Sequence, residues 1–513
     1  MTLLAPAVSD LLHVDPALLL VDLNVRHDAR LDADFKASVA EHGVLVPVVV
    51  VRTHEDRLRV RFGHRRTLAA VEVGRPTVPV VVVADETTDD AATVERLVTQ
   101  WAENEHRTGL TTAERADVIG QLSAFGVSPT QIARRTRATK TEVTAALAVH
   151  RSELARAATA RYKFLDLTQA AVVAEFDADT EAVKALVLAA REGRFDHVAQ
   201  RLRDDRREAA ARSGLADQLR EQGVRVIDRP ASGDTAAELH RLADDEGTRL
   251  TAATHECCPG HAAYIGQEHG WVIVDADGQP LGEASDGDGE DEVDLDDEDD
   301  PEDGGEAPRR EWSSWAAPRW VCTDPAAHGH TDTWAATSSG NSGRVPADQL
   351  TDDEREAARV ARRDVIESNK AWGSAQTVRR EWLRDLACRK TAPKGTAGFL
   401  AASLAVDADL LADVGGNHLA ADLLGIETGS YGRSAELARL VAAAVDARAL
   451  LLALVQVLAA YEARADRNDW RHLRPATGRY LTHLQALGYT LADVEHRACG
   501  HDPAPTTDSD QDD

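Results

Sequence analysis

The sequence has no long apolar run of the kind that crosses a membrane. None of its segments approaches the roughly twenty uncharged apolar residues that a spanning helix needs, and the amino-terminal MTLLAPAVSDLLHVD lacks the basic region that begins a signal peptide. We therefore expect a cytoplasmic protein that does not enter a membrane. Five cysteines are too few for a disulfide framework in 513 residues. All five lie beyond residue 256, and if they act together metal binding is the more natural role.

Aromatic residues are also scarce, at 4% of the chain, whereas alanine is abundant and hydrophobic residues make up 43%. This composition is typical of helix-rich domains whose contacts are made by small side chains. The length exceeds a single hydrophobic core, so we predict a multidomain, mainly α protein of roughly three or four domains.

The formal charge of −29 is unevenly distributed along the chain. Fourteen acidic residues and no basic one lie between Asp286 and Glu306, and such a run cannot bury enough apolar surface to offset its chain entropy. The segment 109–166, in contrast, has nine basic residues against five acidic ones. This local excess of positive charge is compatible with a nucleic-acid partner despite the acidic total.

Three helix starts follow one another closely in the basic segment. Each matches the S/T-x-x-E/Q capping box, in which two side chains bond each other's backbone amides, and the three begin at Thr111, Ser128 and Thr139. The apolar spacing of SPTQIARRTRATKTEVTAALAVH predicts one short helix packed across another, joined by a tight turn. We predict a helix-turn-helix domain over 109–165. The alternative is two packed helices with basic outer faces.

If this domain binds DNA, its polar side chains divide by position. Residues at the start of the second helix are expected to face base edges, namely Thr139, Lys140, Thr141 and Thr144. The arginines of the first helix and the turn are expected to meet phosphates, namely Arg134, Arg135 and Arg137. Arg137 occupies the position where a glycine usually eases the turn.

The segment before it predicts an α/β domain over 14–108. Strand-like VLVPVVVV, LRVRF and TVPVVVV alternate with helical stretches, and RFGHRR joins the second strand to a helix. A glycine at such a turn brings free backbone amides to one place, which suits a phosphate, although a solvated turn is the simpler interpretation. Glu103, Asn104 and Arg107 stand together in WAENEHR and offer oxygen ligands for Mg²⁺, or only a polar helix end.

Three motifs in this order, NVRHDARLDADFKASVAEHGVLVPVVVV, FGHRRTLAA and AENEHR, precede the predicted helix-turn-helix. Together they resemble the amino-terminal half of ParB-type DNA partition proteins, including KorB-like plasmid members, over about residues 14–165. The resemblance implies a ParB/Srx-like domain that binds CTP with Mg²⁺, and a homodimer that loads onto a specific double-stranded DNA site and closes into a sliding clamp. It also implies a ParA-type ATPase as a partner.

Carried over by position, the resemblance assigns nucleotide contacts to Gly63, Arg65 and Arg66, which match the family's G-E-R-R, and to Glu103, Asn104 and Arg107, which match its E-N-x-x-R. Four positions depart from the family pattern: Val46, His64, Leu68 and His106. His64 lies in the phosphate-binding turn but replaces the carboxylate that assists hydrolysis. The resemblance therefore favours CTP binding over turnover, with weak CTPase activity at most.

Two functions remain open at this point. The first is a CTP-gated partition factor acting on a plasmid or a chromosome. The second is a KorB-like site-specific transcriptional regulator whose degenerate nucleotide pocket is only structural. A sulfiredoxin-like activity is excluded because it needs a cysteine in the RFGHRR turn, and no carboxylate cluster is arranged for two-metal cleavage of nucleic acid.

Two cysteine-histidine clusters flank the acidic run. HECCPGHAAYIG contains Cys257, Cys258 and His261, and WVCTDPAAHGH contains Cys322 with His328 or His330. Two such pairs supply the thiolate and imidazole ligands of a closed tetrahedral Zn²⁺ site, which we assign to Cys258, His261, Cys322 and His328. The alternative is unlinked buried cysteines and surface histidines. Cys388 is expected to pack within a helix.

The carboxyl-terminal third alternates charged helices with alanine- and leucine-rich ones. It predicts either a helical bundle that serves oligomerisation or a second DNA-contacting surface built on Arg379, Arg380, Arg384 and Arg389. The predicted regions are a nucleotide-binding domain (14–108), a helix-turn-helix domain (109–165), a helical coupling region (166–250), a Cys/His segment (251–345) with a disordered acidic insert (285–308), a helical C-terminal domain (346–500) and a disordered tail (501–513).

Overall fold

The computed structural model describes residues 11–21, 31–85, 90–107, 110–231, 234–274, 280–283, 309–333, 351–411, 414, 418–426 and 430–501. The acidic insert and the carboxyl-terminal tail lie outside these ranges. The described chain is mainly helical and divides into two compact units, residues 1–195 and 196–513. Among the described helices, none has both the length and the apolar run needed to cross a membrane.

An α/β domain begins the first unit. Its four strands are β1 (Leu11–Val14), β2 (Val48–Arg52), β3 (Leu58–Phe62) and β4 (Val78–Asp85), and its helices are α1 (Ala33–His42) and α2 (His64–Glu72). The sheet order is β1-β4-β2-β3. Strands β2 and β4 run parallel, whereas β1 pairs antiparallel with β4 and β3 pairs antiparallel with β2.

The valine-rich strands form this sheet because β-branched side chains pack well on a pleated surface. Val48, Val50 and Val80 are fully buried beneath the two helices. Helix α1 begins at Asp32, whose carboxylate accepts a hydrogen bond from the Phe35 amide at 2.7 Å, and it ends at Gly43. The predicted α/β character of the amino-terminal domain is therefore confirmed.

Seven helices complete the first unit: α3 (Asp90–Arg107), α4 (Thr112–Ala124), α5 (Pro129–Thr136), α6 (Lys140–Arg151), α7 (Glu153–Arg161), α8 (Leu167–Glu175) and α9 (Thr180–Glu192). The three capping boxes read from the sequence are all formed, at the starts of α4, α5 and α6. Packing continues past residue 165, where the sequence placed a boundary. The Thr112 hydroxyl donates to the Leu165 carbonyl at 2.9 Å, and α8 and α9 bury Phe176 and Leu186.

The second unit begins with a long helix followed by a mainly antiparallel sheet. Its elements are α10 (Phe195–Glu221), β5 (Arg225–Val226), β6 (Ala237–Glu238), β7 (Leu242–Ala243), α11 (Ala252–His255), β8 (His261–Val274), β9 (Pro280–Glu283), β10 (Arg309–Cys322) and β11 (Thr331–Asp332). Strands β8 and β10 form a hairpin in continuous register from His261 opposite Cys322 to Val274 opposite Arg309. Strand β11 pairs with β7 beside the base of this hairpin.

Helices make up the rest of the second unit: α12 (Asp352–Ala387), α13 (Thr396–Val406), α14 (Ala408–Leu411), α15 (His418–Leu423), α16 (Ser430–Ala443), α17 (Asp446–Arg464), α18 (Pro475–Ala486) and α19 (Asp493–Ala498). Arg379 lies fully buried in their core, where it donates to Glu462 at 2.8 Å and to Glu495 at 2.5 Å. It therefore cannot contribute to the second DNA-contacting surface predicted from the sequence. Cys388 is exposed rather than packed.

Candidate functional site

The turn between β3 and α2 brings two arginines to the start of a helix. Gly63 is the N-cap of α2 and has a φ of 101°, a conformation that glycine adopts at low cost. No side chain caps this helix, and the positive end of its dipole lies at the edge of the sheet. A Cβ at position 63 would lie 3.2 Å from Arg66 Nη2, and glycine therefore leaves room for that guanidinium.

Both arginines of the turn already contact protein oxygens. Arg66 donates to the carbonyls of Val46 and, at 2.8 Å, of Pro47. Arg65 forms an ion pair with Asp32 at 3.1 Å and places its guanidinium 4.9 Å from the centroid of the Phe35 ring. The hydrogen bond from the Phe35 amide is the main cause that lowers the pKa of Asp32, and the positive charge of Arg65 lowers it further. An anion bound at this turn would therefore either share these guanidinium groups with the protein oxygens or break their contacts with those oxygens.

His64 lies in the same turn but is only 6% exposed. Gly63, His64, Arg65 and Arg66 thus lie together at the amino-terminal end of α2. The side chains of Glu103, Asn104 and Arg107 lie outside the described residues. Only their backbone is described, in the last turns of α3.

The predicted DNA-contacting residues lie on α5, on α6 and in the turn between them. Ile132 and Val143 are fully buried where the two helices cross. All seven predicted contact residues are exposed: Arg134, Arg135, Arg137, Thr139, Lys140, Thr141 and Thr144. The two helices are therefore joined through their apolar faces and present their basic and hydroxyl side chains to solvent.

Arg137 makes the turn possible by adopting a left-handed conformation, with φ 57° and ψ 24°. Two of the hydroxyls assigned to base edges are already used within α6. The Thr139 hydroxyl accepts the Glu142 amide at 3.1 Å, and the Thr144 hydroxyl donates to the Lys140 carbonyl at 3.0 Å. Lys140 and Thr141 are therefore the stronger candidates for base contacts in the first turn of α6.

Trp101 connects the helix of the third motif to the predicted DNA-binding helices. Its side chain is 4% exposed, and its indole N–H donates to the carbonyl of Thr136 at 3.2 Å. Thr136 is the last residue of α5 and directly precedes Arg137. Residues 101 and 103 are neighbours on α3, so the chain segment carrying Glu103 is physically joined to the turn between α5 and α6.

The cysteine-histidine residues converge, but with a different choice of histidines from the one predicted. His255, Cys258, Cys322 and His330 bring one donor atom each within 4.8 Å of one another. His261 instead contacts His255 through their Nδ1 atoms at 3.0 Å. The side chain of His328 lies against Gly260. Spacing along the chain leaves His328 and His330 as alternatives beside Cys322, and it favours His261, which follows Cys258, over His255, which precedes Cys258 by one helical turn.

A sequence model of the ParB N-terminal domain family matches residues 24–97. The chain is 32% identical over 119 residues to a protein named putative replication protein B, from Sinorhizobium fredii (strain NBRC 101917 / NGR234). That alignment covers 23% of this chain and 34% of the relative, so the chain spans about one third of the relative's length.

Two crystal structures of C-terminally truncated chromosome-partitioning protein ParB from Caulobacter crescentus are also similar. The one complexed to the centromeric parS site is 16% identical, with a TM-score of 0.26, over 36% of this chain and 96% of that chain. The one complexed with CTP-gamma-S is 21% identical, with a TM-score of 0.16, over 35% of this chain and 98% of that chain. The family match over residues 24–97 confirms the resemblance to ParB-type partition proteins that the motif order indicates.

Proposed function

We propose that this protein is a ParB-like partition factor that recognises a specific DNA site and is gated by CTP. The observation that carries the proposal is the turn at Gly63, where the first amides of α2 and the guanidinium groups of Arg65 and Arg66 lie together. Backbone amides at a helix N-terminus and guanidinium groups are the two donor types that bind phosphate most readily. The triphosphate of CTP would occupy this turn.

Glu103 and Asn104 would hold Mg²⁺, which would neutralise part of the charge of the triphosphate. Both are residues of α3 and offer the oxygen ligands that this ion prefers. Helix α3 also carries Trp101, which donates to Thr136 at the end of α5. A movement of α3 on nucleotide binding would therefore reach the DNA-contacting turn through one buried hydrogen bond, and this link provides a physical route for gating.

CTP binding is tested by titration calorimetry on the full-length protein with Mg²⁺, with and without DNA. Arg66→Ala is expected to abolish binding, because it removes a charge-assisted contact to phosphate. Arg75→Ala is the matched control, since Arg75 also donates to a backbone carbonyl, that of Ala40 at 3.3 Å, but lies beyond the far end of α2. Loss of CTP binding in both variants, or in neither, would contradict the proposed pocket.

DNA recognition is tested by selecting bound sequences from a random DNA library and then comparing the selected site with random DNA. Lys140→Ala is expected to weaken the specific complex by about 1–3 kcal/mol more than the non-specific one. Lys163→Ala is the control, because Lys163 is also an exposed lysine but lies in the loop after α7. Equal losses of affinity for the selected site and for random DNA would indicate that Lys140 contacts a phosphate instead of a base.

A second candidate function is a KorB-like transcriptional regulator with a structural pocket. The ion pair of Arg65 with Asp32 and the hydrogen bonds of Arg66 to two carbonyls favour it, since both guanidinium groups already have protein partners without a nucleotide. Wild-type protein that binds its DNA site with unchanged affinity and shows no CTP-dependent heat would support the regulator over the partition factor.

The proposed partition factor would act as a homodimer on double-stranded DNA, with a ParA-type ATPase as its partner. Crosslinking of the DNA-bound protein with and without CTP tests the clamp. A CTP-dependent increase in the crosslinked dimer is expected, and an exclusively monomeric protein would contradict it.

A further inference from the structure

Four side chains with nitrogen and sulfur donors meet at the base of the β8–β10 hairpin. His255 ends α11, Cys258 follows one turn later, Cys322 ends β10 and His330 directly precedes β11. One donor atom from each lies within 4.8 Å of every other. His255 and Cys322 are almost fully buried, at 1% and 0% exposure. Cys258 and His330 are half-buried, so the cluster lies partly beneath the protein surface.

The spacing of the donors fits a tetrahedral Zn²⁺ ion. Bonds of about 2.3 Å to sulfur and about 2.05 Å to nitrogen give tetrahedral edges of about 3.6 Å between a sulfur and a nitrogen. The distance from Cys258 Sγ to His330 Nε2 is 3.6 Å. This pair therefore already stands at the separation that a shared zinc ion would impose.

His255 is oriented as a zinc-bound histidine would be. Its Nδ1 lies 3.0 Å from His261 Nδ1, and its Nε2 is buried without a hydrogen-bond partner among the described residues. A ligating histidine characteristically uses its second nitrogen to bond a neighbour, which fixes the ring and directs the other nitrogen at the metal. His261 is itself held by stacking on Trp320, with ring centroids 5.0 Å apart. It therefore positions a ligand instead of acting as one.

The backbone around the cluster is shaped to let the donors approach. The Cys258 amide donates to the His255 carbonyl at 3.0 Å, and the His261 amide donates to the Cys258 carbonyl at 2.9 Å, which curls this segment around the cluster. A Cβ at Gly260 would lie 2.6 Å from Cys322 Sγ. Only glycine leaves enough room there for the thiol to enter the cluster.

Among the residues that the structure describes, the surrounding segment has little hydrophobic core. Two small groups of buried side chains support it there: Leu239, Leu242, Leu250 and Cys322 in one, and Ala262, Tyr264 and Val321 in the other. Cores of this size leave a small fold marginally stable, and natural domains in this situation commonly add a structural metal.

We propose that His255, Cys258, Cys322 and His330 bind one structural Zn²⁺ ion that joins α11, the end of β10 and the start of β11. On binding, both thiols lose their protons to solvent, and the two thiolates balance the charge of the ion. All four positions of the tetrahedron are filled by protein, which makes the site structural. This proposal is independent of the proposed function, because CTP and DNA binding are assigned to residues of the first unit.

Metal analysis of the full-length protein, purified without added metal, provides the test. The wild-type protein is expected to contain about one zinc per chain. Cys258→Ser and His330→Ala are expected to lose it. Their controls are Cys257→Ser and His328→Ala, which change the adjacent exposed cysteine and the nearby histidine outside the cluster. Retention in the controls and loss in the other two variants would identify the ligands.

A measurement on the wild-type protein guards against variants that fail to fold. Zinc is removed with a chelator and replaced by Co²⁺, which is expected to produce the visible bands of a tetrahedral site with two thiolates. Three outcomes would overturn the proposal: wild-type protein without metal, octahedral cobalt bands, or mass spectrometry of freshly purified protein that finds Cys258 and Cys322 joined in a disulfide.

Discussion

Substitutions of Arg137 can distinguish two properties of the α5–α6 turn, its backbone strain and its positive charge. A non-glycine residue in the left-handed region costs about 1–2 kcal/mol, and Arg137 has φ 57° there. Arg137→Gly removes that cost but gives the unfolded chain extra entropy worth about 0.5–1 kcal/mol. The difference predicts a net stabilisation of about 0.5–1 kcal/mol.

The same substitution should weaken DNA binding, because it deletes one exposed positive charge. If Arg137 meets a phosphate, the dependence of log K on log salt should become shallower by about 1. Arg137→Gly is therefore expected to make the protein more stable and its DNA complex weaker. Arg137→Ala is the matched control, since it removes the same charge but keeps the Cβ that creates the strain.

Hydrogen exchange of peptides covering α5 and α6 measures the stability change where it occurs, and fluorescence anisotropy at several salt concentrations measures DNA binding. Exchange is expected to slow in Arg137→Gly and to remain near wild type in Arg137→Ala, whereas both should lose DNA affinity. Faster exchange in Arg137→Gly than in Arg137→Ala would refute the assignment of strain to this residue.

Three further predictions concern packing and protonation. Gly120→Ala should destabilise the helical part of the first unit by about 1–3 kcal/mol in chemical denaturation, because the added Cβ would lie 2.2 Å from the ring of His150. The double variant with His150→Ala should regain most of the lost stability. Arg379→Met should cost about 3–5 kcal/mol, because it removes the buried guanidinium that pairs with Glu462 and Glu495 and leaves Glu462 with the longer ion pair to Arg380 at 3.6 Å. An unchanged unfolding midpoint would contradict that ion-pair network, and exposed Arg384→Met is the control. The hydrogen bonds from the Thr139 amide and hydroxyl lower the pKa of Glu142 from its usual 4.5. The stability that they contribute is therefore present above about pH 4.5 and is lost as the pH falls through the lowered pKa. Melting curves of Glu142→Gln across this range should lack the part of the pH dependence that Glu142 causes.

Local features of the fold could be read from the sequence because their physical causes are local. A capping box lies within four residues, and all three boxes predicted between Thr111 and Glu142 are formed. The same holds for the turn at Gly63, where a strand, a glycine and a helix follow one another directly. Motif order then identified the amino-terminal family, which the match over residues 24–97 confirms.

Features that depend on distant partners could not be read in this way. Arg379 was interpreted as a surface residue because its anionic partners stand 83 and 116 positions away in the chain, at Glu462 and Glu495. The histidines that the structure brings together with the cysteines differ from those predicted for a related reason. Sequence spacing measures distance along the chain, whereas α11 folds His255 back toward Cys258, and the pairing of β11 with β7 places His330 close to both cysteines.

The β8–β10 hairpin separates its two ends by a considerable distance. Fourteen residues in each strand, at about 3.4 Å per residue, span roughly 45 Å. The cysteine-histidine cluster lies at one end, and the chain leaves toward the acidic insert at the other. Lengthening such an insert twofold costs only about 0.6 kcal/mol in closure entropy, and the added residues would join the chain at the end of the hairpin away from the base. Relatives of this protein could therefore differ widely in the length of this insert while keeping the same hairpin base.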